Sequence, residues 1–255
     1  MRGGGTPMYK NALYRVAENR PIAREVFRMR LLGDTRWITA PGQFVNVRVD
    51  GCYLRRPISV CDWDGGGLTL VYKAVGKGTR LLSRALPDEM LDLLTGLGNG
   101  YDPSAARGRR TVLIGGGVGV PPLYGLARRL ALAGEPPAAA LGFRTAADAF
   151  LAESFLTLGC EVLVATADGS LGERGFVTEP LSRLDYGYYF ACGPEPMLAA
   201  VHALGREKGA EGQLSFERRM GCGFGACMSC SCETLAGPRR ICVEGPVLRS
   251  GEVRF

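Results

Sequence analysis

The sequence contains no long uninterrupted hydrophobic run. A membrane-spanning helix needs about 18 or more consecutive apolar residues, and no stretch of the 255 residues approaches that length. The first residues, MRGGGTPMYKN, also lack the apolar centre of a secretory signal peptide. These absences predict a cytoplasmic protein that does not enter a membrane.

Long runs of one charge are missing as well. The net charge is +6, but the 31 lysines and arginines are spread in short pairs such as Arg109-Arg110 and Arg239-Arg240. Nucleic-acid binding is not indicated, because it usually depends on a clustered basic surface. The chain has a single histidine, His202, to which we assign no role. The positive balance suits anionic cofactors.

Cysteine is the residue that the sequence concentrates in one place. Cys222, Cys227, Cys230 and Cys242 form a C-x4-C-x2-C…C pattern, the ligand spacing of a plant-type [2Fe–2S] cluster. Cys232 lies nearby and is the alternative third ligand. Zinc is the main competing metal, although its sites usually pair two C-x2-C steps, which this pattern fits poorly. Buried thiols without a metal are the third possibility.

The other features of the cysteines agree with a cluster in a reducing compartment. Glycines at positions 221, 223 and 225 allow the unusual backbone angles of a loop around a cluster. The total of nine cysteines is odd, which argues against a disulfide framework. The remaining four have no ligand spacing and are predicted to be core thiols: Cys52, Cys61, Cys160 and Cys192.

Short strand-like segments separated by turns fill residues 1–105 and predict a small antiparallel β-barrel. A helix is predicted at Thr79–Leu86. Two segments there have the chemistry of a nucleotide site, since one offers a cation and a hydroxyl and the other a glycine-rich turn that opens the helix. Each alone is also compatible with a surface ion pair or a hairpin. Their candidate residues are Arg56, Pro57, Ile58 and Ser59, and Val71, Tyr72, Lys73, Gly78 and Thr79.

Residues 106–212 alternate strands with helices, which predicts a doubly wound parallel sheet. The predicted helices lie at about 123–133, at about 148–158 and from about 197. Two loops after strand ends suit a dinucleotide. Pro121 is compatible with the first turn of the helix after the first loop. The loop residues are Gly115, Gly116, Gly117 and Gly119, and Cys192, Gly193 and Pro194.

The choice between NAD and NADP is left open by the residues. No acidic side chain follows the second strand of this region, where many NAD sites hold a ribose hydroxyl, and Arg144 stands there instead. A last strand, at residues 213–217, leads into a predicted [2Fe–2S] domain at 213–255. Glu217 at its end either faces the active centre or forms a surface salt bridge.

Taken together, these motifs resemble those of the ferredoxin-reductase superfamily, and more specifically those of the electron-transfer subunits of class 1B dihydroorotate dehydrogenase. The resemblance covers nearly the whole chain. Pro121 departs from it, because that position is often alanine in relatives. The segments that carry it, in order, are RRPIS, VYK with GKGT, LTGLGNGY, IGGGVGVPPLY, LGFR, DGSLGERGFVT, ACGPEPML and the cysteine segment that ends in ICVEGPV.

The resemblance implies FAD on the barrel, NAD at the 115–122 and 192–197 loops, and a [2Fe–2S] cluster on the four cysteines. It further implies an oxidoreductase subunit that takes electrons from the FMN of a separate dihydroorotate-oxidising subunit and passes them through the cluster and FAD to NAD. The pathway would be pyrimidine biosynthesis, and the assembly two copies of each subunit. No catalytic residue for dihydroorotate is expected in this chain.

Two other functions remain open at this stage. The same cofactors serve reductase subunits of sulfide-dehydrogenase-like or transhydrogenase-like complexes. The GPV that closely follows Cys242 favours the pyrimidine enzyme. A redox-sensing iron–sulfur binding protein is the non-enzyme alternative, and the intact flavin and nicotinamide motifs argue against it.

Overall fold

The computed structural model describes residues 9–255. Its N-terminal part is a closed antiparallel barrel, as the sequence predicts. The elements of this part are β1 Lys10–Ala23, β2 Val26–Leu32, β3 Phe44–Val47, β4 Arg56–Asp64, β5 Gly67–Lys73, α1 Lys77–Leu82 and β6 Met90–Leu97. The strands are hydrogen-bonded in the order β1-β2-β5-β4-β3-β6.

Alternating side chains build the interior of the barrel. Tyr14 and Val16 point inward from β1 and are fully buried, and Leu68 and Leu70 do the same from β5. Removing these apolar side chains from water stabilises the closed sheet. Helix α1 begins two residues earlier and ends four residues earlier than predicted. After Leu82 the backbone continues in turns, with the N–H groups of Arg84 and Ala85 bonded to the carbonyl oxygens of Leu81 and Leu82, and Pro87 keeps Leu86 out of helical backbone.

The rest of the chain is built on one large, mostly parallel sheet. Its elements, with those of the cysteine segment, are β7 Thr111–Gly116, α2 Pro121–Leu132, β8 Ala138–Phe143, α3 Ala152–Thr157, β9 Glu161–Thr166, β10 Glu173–Arg174, α4 Thr178–Arg183, β11 Tyr188–Cys192, α5 Glu195–Glu207, β12 Glu211–Ser215, β13 Ser231–Thr234, β14 Gly237–Arg240, α6 Ile241–Glu244 and β15 Val247–Arg249. The sheet order is β10-β9-β8-β7-β11-β12-β15. Only β15 runs antiparallel to its neighbour, so the predicted parallel sheet is confirmed.

Two details of this part differ from the sequence-based expectation. The helix expected at about 148–158 is split, because Leu151 has a left-handed backbone (φ 64°) that a right-handed helix cannot include. Strand β12 begins at Glu211 and crosses the predicted domain boundary between residues 212 and 213. Strand β15 follows the cysteine segment and pairs with β12. The limits of the domains stay a prediction.

Helix α2 packs directly on the barrel. A Cβ atom at Gly125 would lie 2.9 Å from the carbonyl oxygen of Cys61 on β4, so glycine allows the helix to approach this strand closely. Arg128 donates to the carbonyl oxygen of Trp63 at 2.7 Å and forms an ion pair of 2.6 Å with Asp62. The helix that follows the first glycine-rich loop is thereby fixed against the predicted flavin-binding strand.

A second contact joins the two parts at the turn between β1 and β2. The guanidinium of Arg24 contacts both carboxylate oxygens of Asp148, Nη2–Oδ2 at 2.7 Å and Nε–Oδ1 at 3.1 Å. Thr145 accepts a further hydrogen bond from Arg24.

Within residues 9–255, no helix is long and apolar enough to cross a membrane.

Candidate functional site

The two predicted flavin segments meet where Arg56 crosses helix α1. A Cβ atom at Gly78 would lie 2.1 Å from Nε of Arg56, so the guanidinium lies directly over this glycine. The neighbouring Arg55 is already occupied by a two-point contact with Asp92, at 2.9 and 3.0 Å. Arg56, in contrast, forms no ion pair with any residue in the described part of the chain. Nη1 of Arg56 donates to the carbonyl oxygens of Leu54 and Arg55, and Nε and Nη2 remain available to an anionic ligand.

The turn before α1 is fixed by the hydroxyl of Thr79. Its Oγ1 accepts hydrogen bonds from the backbone N–H groups of Val75, at 3.1 Å, and Gly76, at 3.2 Å. Gly78 is buried beneath Arg56. Thr79 therefore shapes the turn that presents Gly78 to the guanidinium.

Three predicted flavin residues direct their side chains elsewhere. Ile58 and Tyr72 point into the barrel core, and the Tyr72 hydroxyl donates to Oδ1 of Asn19 at 3.0 Å. Val71 packs against the core of the parallel-sheet part. Only the backbone at these three positions could contact a cofactor.

Three others lie on accessible faces. Pro57 is exposed and Ser59 is half-buried, both on the side of β4 that faces away from the barrel core. The ammonium group of Lys73 lies 3.9 Å from carboxylates of Glu25 and Asp148. Both distances are long for ion pairs, and they place the Lys73 ammonium group at the junction of the barrel and the parallel-sheet part.

The two predicted nicotinamide loops contact each other tightly. A Cβ atom at Gly119 would lie 2.2 Å from the carbonyl oxygen of Cys192. Similarly, a Cβ atom at Gly116 would lie 2.5 Å from the sulfur of Met197, and one at Gly193 would lie 2.6 Å from its methyl carbon. Glycine is thus required at position 119, where the neighbour is backbone, whereas the flexible end of Met197 is what approaches Gly116 and Gly193.

Gly117 has a different environment from its neighbours. Its φ is +52°, and a Cβ atom there would have no neighbour within 4 Å. Gly115, in contrast, packs against Val120. Helix α2 begins at Pro121, as expected for a proline of the first turn, and Pro194 similarly precedes helix α5. The open part of the first loop is therefore at Gly117.

Three of the four cysteines predicted to be core thiols are buried. Burial raises the pKa of Cys192 to about 12, with a further contribution from the carboxyl of Glu217. Burial also raises the pKa of Cys160, to about 11, and it raises the pKa of Cys61 more than that of Cys160. These groups are thiols at neutral pH. Cys52 is half-buried and packs at the edge of the barrel core.

The other singled-out residues have the following surroundings. Glu217 is exposed and pairs with no cation among residues 9–255, while the protein around its carboxyl raises its pKa. Arg144 is exposed at the end of β8. The Nδ1 atom of His202 lies 3.2 Å from the hydroxyl of Tyr189, and burial lowers the pKa of the imidazole.

The first two cysteines of the motif are joined through backbone N–H groups. Ala226 donates its N–H to the sulfur of Cys222 at 3.2 Å, and Cys222 donates its own N–H to the sulfur of Cys227 at 3.3 Å. The hydroxyl of Ser229 lies 3.1 Å from the Cys227 sulfur. This hydroxyl, followed by the Cys222 N–H, lowers the pKa of Cys227 to about 6. Cys227 is exposed, whereas Cys222 is half-buried.

The other two cysteines form a buried pair. Ile241 donates its N–H to the carbonyl oxygen of Cys230 at 3.2 Å, which brings Cys242 beside Cys230. Burial and then the adjacent Cys230 thiol raise the pKa of Cys242 to about 12, and Cys222 also contributes. The four cysteines are therefore joined in pairs. Among residues 9–255, no three or more His, Cys, Asp or Glu side chains are grouped as for binding a metal ion.

Cys232 has a different setting from these four. It lies on β13, opposite Arg239 in the hairpin with β14. Burial raises the pKa of the Cys232 thiol, and the contact of this thiol with the guanidinium of Arg218 partly offsets the increase. Arg218 is held by Glu195 of helix α5. Cys232 thus faces the parallel-sheet part, not the Cys230–Cys242 pair.

One residue of this region was missed by the sequence analysis. Asn46 of β3 donates from Nδ2 to the carbonyl oxygen of Cys222 at 3.1 Å, across 176 positions of the chain. Gly223 has φ +78°, and a Cβ atom there would lie 2.3 Å from this Nδ2. No local pattern marks Asn46, because its partner is distant in sequence.

Known proteins match both the cysteine segment and nearly the whole chain. Residues 217–254 match the family described as the iron-sulfur cluster binding domain of dihydroorotate dehydrogenase B. The "Dihydroorotate dehydrogenase B (NAD(+)), electron transfer subunit" of Geobacillus sp. strain WCH70 is 42% identical over 96% of this chain and 99% of its own length. The protein of the same name from Shouchella clausii is 42% identical over 93% of this chain and 96% of its own.

Solved structures share the fold. A NADH-dependent reduced ferredoxin-NADP oxidoreductase, described for flavin-based electron bifurcation, superposes with a TM-score of 0.83 at 30% identity, over 99% of this chain and 92% of its own. An Amycolatopsis cytochrome P450 reductase superposes with a TM-score of 0.70 at 25% identity, over 82% of this chain and 69% of its own. Both agree with a reductase architecture of barrel and parallel sheet.

Proposed function

Because this chain belongs to the family of electron transfer subunits of dihydroorotate dehydrogenase B, we propose that it carries electrons from a catalytic partner to NAD through a [2Fe–2S] cluster and FAD. Bound FAD would supply the exchange between single electrons at the cluster and hydride transfer with nicotinamide. The residues of this chain hold the three groups in place. Dihydroorotate itself would react in the partner.

FAD would be held on the outer face of the barrel. Arg56 is supported in this role because it pairs with no carboxylate among the described residues and lies over Gly78. Its guanidinium can bind a pyrophosphate oxygen by a charge-assisted hydrogen bond. Ser59 and Pro57 lie on the same outward face of β4. Thr79 would contribute by holding the turn.

NAD would bind against the two loops at the ends of β7 and β11. Gly117 supports this role, because its backbone is open at the loop that leads into helix α2. The carboxyl ends of parallel strands are the usual place for dinucleotides. Cys192 would act through its backbone, since its buried thiol is not ionised at neutral pH.

The four cysteines Cys222, Cys227, Cys230 and Cys242 fit a [2Fe–2S] cluster. A cluster of this type takes four cysteine thiolates, and the sulfurs here lie in two pairs, with backbone N–H groups directed at the first pair. Such hydrogen bonds to ligand sulfurs tune a metal centre. Cys232 is the poorer third ligand, because its thiol faces Arg218.

The partner would dock where the cluster segment is most exposed. Cys227 is exposed, and Met228 beside it is 57% exposed. We expect an FMN-containing dihydroorotate dehydrogenase catalytic subunit there, in an assembly of two copies of each subunit that serves pyrimidine biosynthesis. The cytoplasm is the expected compartment, in keeping with the nine free cysteines.

The observation that carries this proposal is the paired arrangement of four cysteines in a reductase fold, with one pair buried and Cys227 of the other pair exposed. The test is anaerobic. The purified subunit, with its FAD and cluster, is mixed with NADH, and then the complex with the FMN-containing subunit is mixed with dihydroorotate while flavin and cluster absorbance are followed.

Bleaching of both chromophores by dihydroorotate, reversed by NAD, is the expected result. Reduction by NADH without any response of the assembled complex to dihydroorotate would assign the chain to another reductase complex. A subunit that binds FAD and the cluster but turns over no NADH with an artificial dye would exclude both enzyme functions and leave the redox sensor.

A further inference from the structure

Asn46 lies in the barrel wall next to the predicted flavin strand. In the antiparallel pairing of β3 with β4, it stands opposite Pro57, and Val47 beside it stands opposite Arg56. On its other side, Asn46 pairs with Leu94 of β6. Its side chain is buried, with 1% of the residue exposed. A polar side chain at such a position needs hydrogen-bond partners.

The amide of Asn46 finds one such partner in the cluster loop. Its Nδ2 donates to the carbonyl oxygen of Cys222 at 3.1 Å. The loop approaches so closely that a Cβ atom at Gly223 would overlap this nitrogen, at 2.3 Å. Asn46 therefore contacts a proposed cluster ligand and the residue after it, from a strand that is paired with the flavin segment.

The other end of the amide is unsatisfied. Oδ1 of Asn46 is buried and accepts no hydrogen bond from residues 9–255. The backbone around it is fixed, since Arg55 contacts the carbonyl oxygen of Asn46 at 3.4 Å while it binds Asp92. The side chain is thus held to the barrel by its backbone and to the cluster loop by Nδ2.

We infer that Asn46 is a positioning residue, which fixes the cluster loop against the flavin-binding strand and so sets the path for electrons between the two groups. This inference rests on the proposed function. Residues that orient the ligands of a redox centre need to hold them within a fraction of an ångström. The hydrogen bond to Cys222 acts on a ligand backbone, so it controls the place of the sulfur without binding the metal.

The experiment compares variants of the complete subunit with FAD and cluster bound. Asn46→Leu has a similar volume and removes the donor, whereas Asn46→His keeps a ring N–H and tests rescue. Asn46→Val also lacks the donor, suits a strand and replaces the leucine variant if that one does not fold. Asn99→Leu is the matched control, because Asn99 also joins the barrel to the C-terminal segment, through two bonds to Val247, but contacts no cysteine.

Three readouts are taken: iron and sulfide content, the electron paramagnetic resonance spectrum of the reduced cluster, and rapid mixing with NADH. Rapid mixing separates reduction of FAD from the later reduction of the cluster. In Asn46→Leu we expect full iron content, unchanged reduction of FAD, an altered cluster spectrum and cluster reduction slowed by about tenfold or more. The histidine variant recovers the wild-type rate and spectrum, and Asn99→Leu resembles wild type throughout.

The inference is overturned if Asn46→Leu, or Asn46→Val in its place, reduces the cluster at the wild-type rate with an unchanged spectrum. It is equally overturned if Asn99→Leu shows the same slowing, since the effect would then come from loosening of the C-terminal segment. Wild-type protein that binds FAD and iron but passes no electrons between them would instead contradict the proposed function. The two failures are therefore distinguishable.

Discussion

The guanidinium of Arg56 occupies the space in which a side chain at Gly78 would stand, with Nε 2.1 Å from the position of the missing Cβ atom. The two residues come from separate motifs, one on β4 and one at the start of α1. A flexible arginine end can move away from an added methyl group, whereas backbone could not. The contact can therefore be broken without unfolding the barrel.

We predict that Gly78→Ala displaces Arg56 and weakens the binding of FAD. Loss of one charge-assisted hydrogen bond costs about 1.5–3 kcal/mol, which corresponds to an increase of about tenfold to a hundredfold in Kd. Titration of the apo-subunit with FAD, followed by flavin fluorescence, measures the change. Gly65→Ala is the control, since it lies outside the proposed FAD site and a Cβ atom there has no neighbour within 4 Å. Equal FAD affinity in both variants would contradict the role of Arg56.

Gly119→Ala should separate the two nicotinamide loops. Its Cβ atom would lie 2.2 Å from the backbone oxygen of Cys192, which cannot move as a side chain does. We expect a higher KM for NADH and a free energy of unfolding lowered by about 1–3 kcal/mol, as for other overpacked sites. Steady-state kinetics and thermal unfolding test both effects. Gly65→Ala, with open space around it, should change neither.

The ion pair between Arg24 and Asp148 should make stability depend on pH. The hydrogen bonds from Arg24 lower the pKa of Asp148 below its ordinary value of 3.8, against the effect of burial. Above the pKa that Asp148 has in the unfolded chain, its carboxylate contributes its full stabilisation of the fold. This contribution is lost as the pH falls through the lower pKa that Asp148 has in the folded protein. Because Arg24 is half-exposed, Asp148→Asn should cost only about 1 kcal/mol near neutral pH.

The measurement is denaturant unfolding of wild type and Asp148→Asn from pH 7 down to acid. The difference between them should shrink at the lowest pH, where the wild-type carboxyl is protonated. Asp88→Asn is the control, because the Arg15–Asp88 pair is exposed on both sides. A difference between wild type and Asp148→Asn that stays constant with pH would exclude the ion pair as its cause.

The identity of the third cluster ligand can be tested by two serine variants. Cys230 contacts Cys242, whereas Cys232 contacts Arg218. Cys230→Ser should therefore lose the visible absorbance and most of the iron of the cluster, and Cys232→Ser should keep both. Iron and sulfide analysis of the two proteins decides the question, and the reverse result would assign the ligand to Cys232.

Much of the fold could be predicted because its signals are local. The strand Tyr188–Cys192 and the strand Glu161–Thr166 are short, mainly apolar runs, and both lie in the region for which the sequence predicts alternating strands and helices. The proline at the start of α2 follows from its fixed backbone angle. Glycine-rich turns and cysteine spacing are equally local, so candidate loops and ligands can be proposed from the sequence, and these assignments stay predictions.

The remaining features depend on contacts between distant residues. The hydrogen bond of Asn46 to Cys222 leaves no trace in either segment. The left-handed backbone at Leu151, which shortens a predicted helix, is typical of glycine and has no signal in a leucine. Alternation alone could not show that Tyr72 of the flavin motif points into the barrel. These contacts, backbone angles and side-chain directions exist only in the folded chain, so no local sequence pattern reveals them.

The pairing of β15 with β12 has a consequence for how the protein matures. The chain leaves the sheet after Ser215 and re-enters it at Val247, directly beside the strand that it left, and Phe216 donates its N–H to the carbonyl oxygen of Pro246. Residues 216–246 are thus a closed excursion with both ends anchored, and the entropic cost of closing such a loop grows only slowly with its length. Closure of this excursion at its base uses backbone hydrogen bonds and no cysteine side chain, so we expect β15 to pair with β12 with or without the cluster.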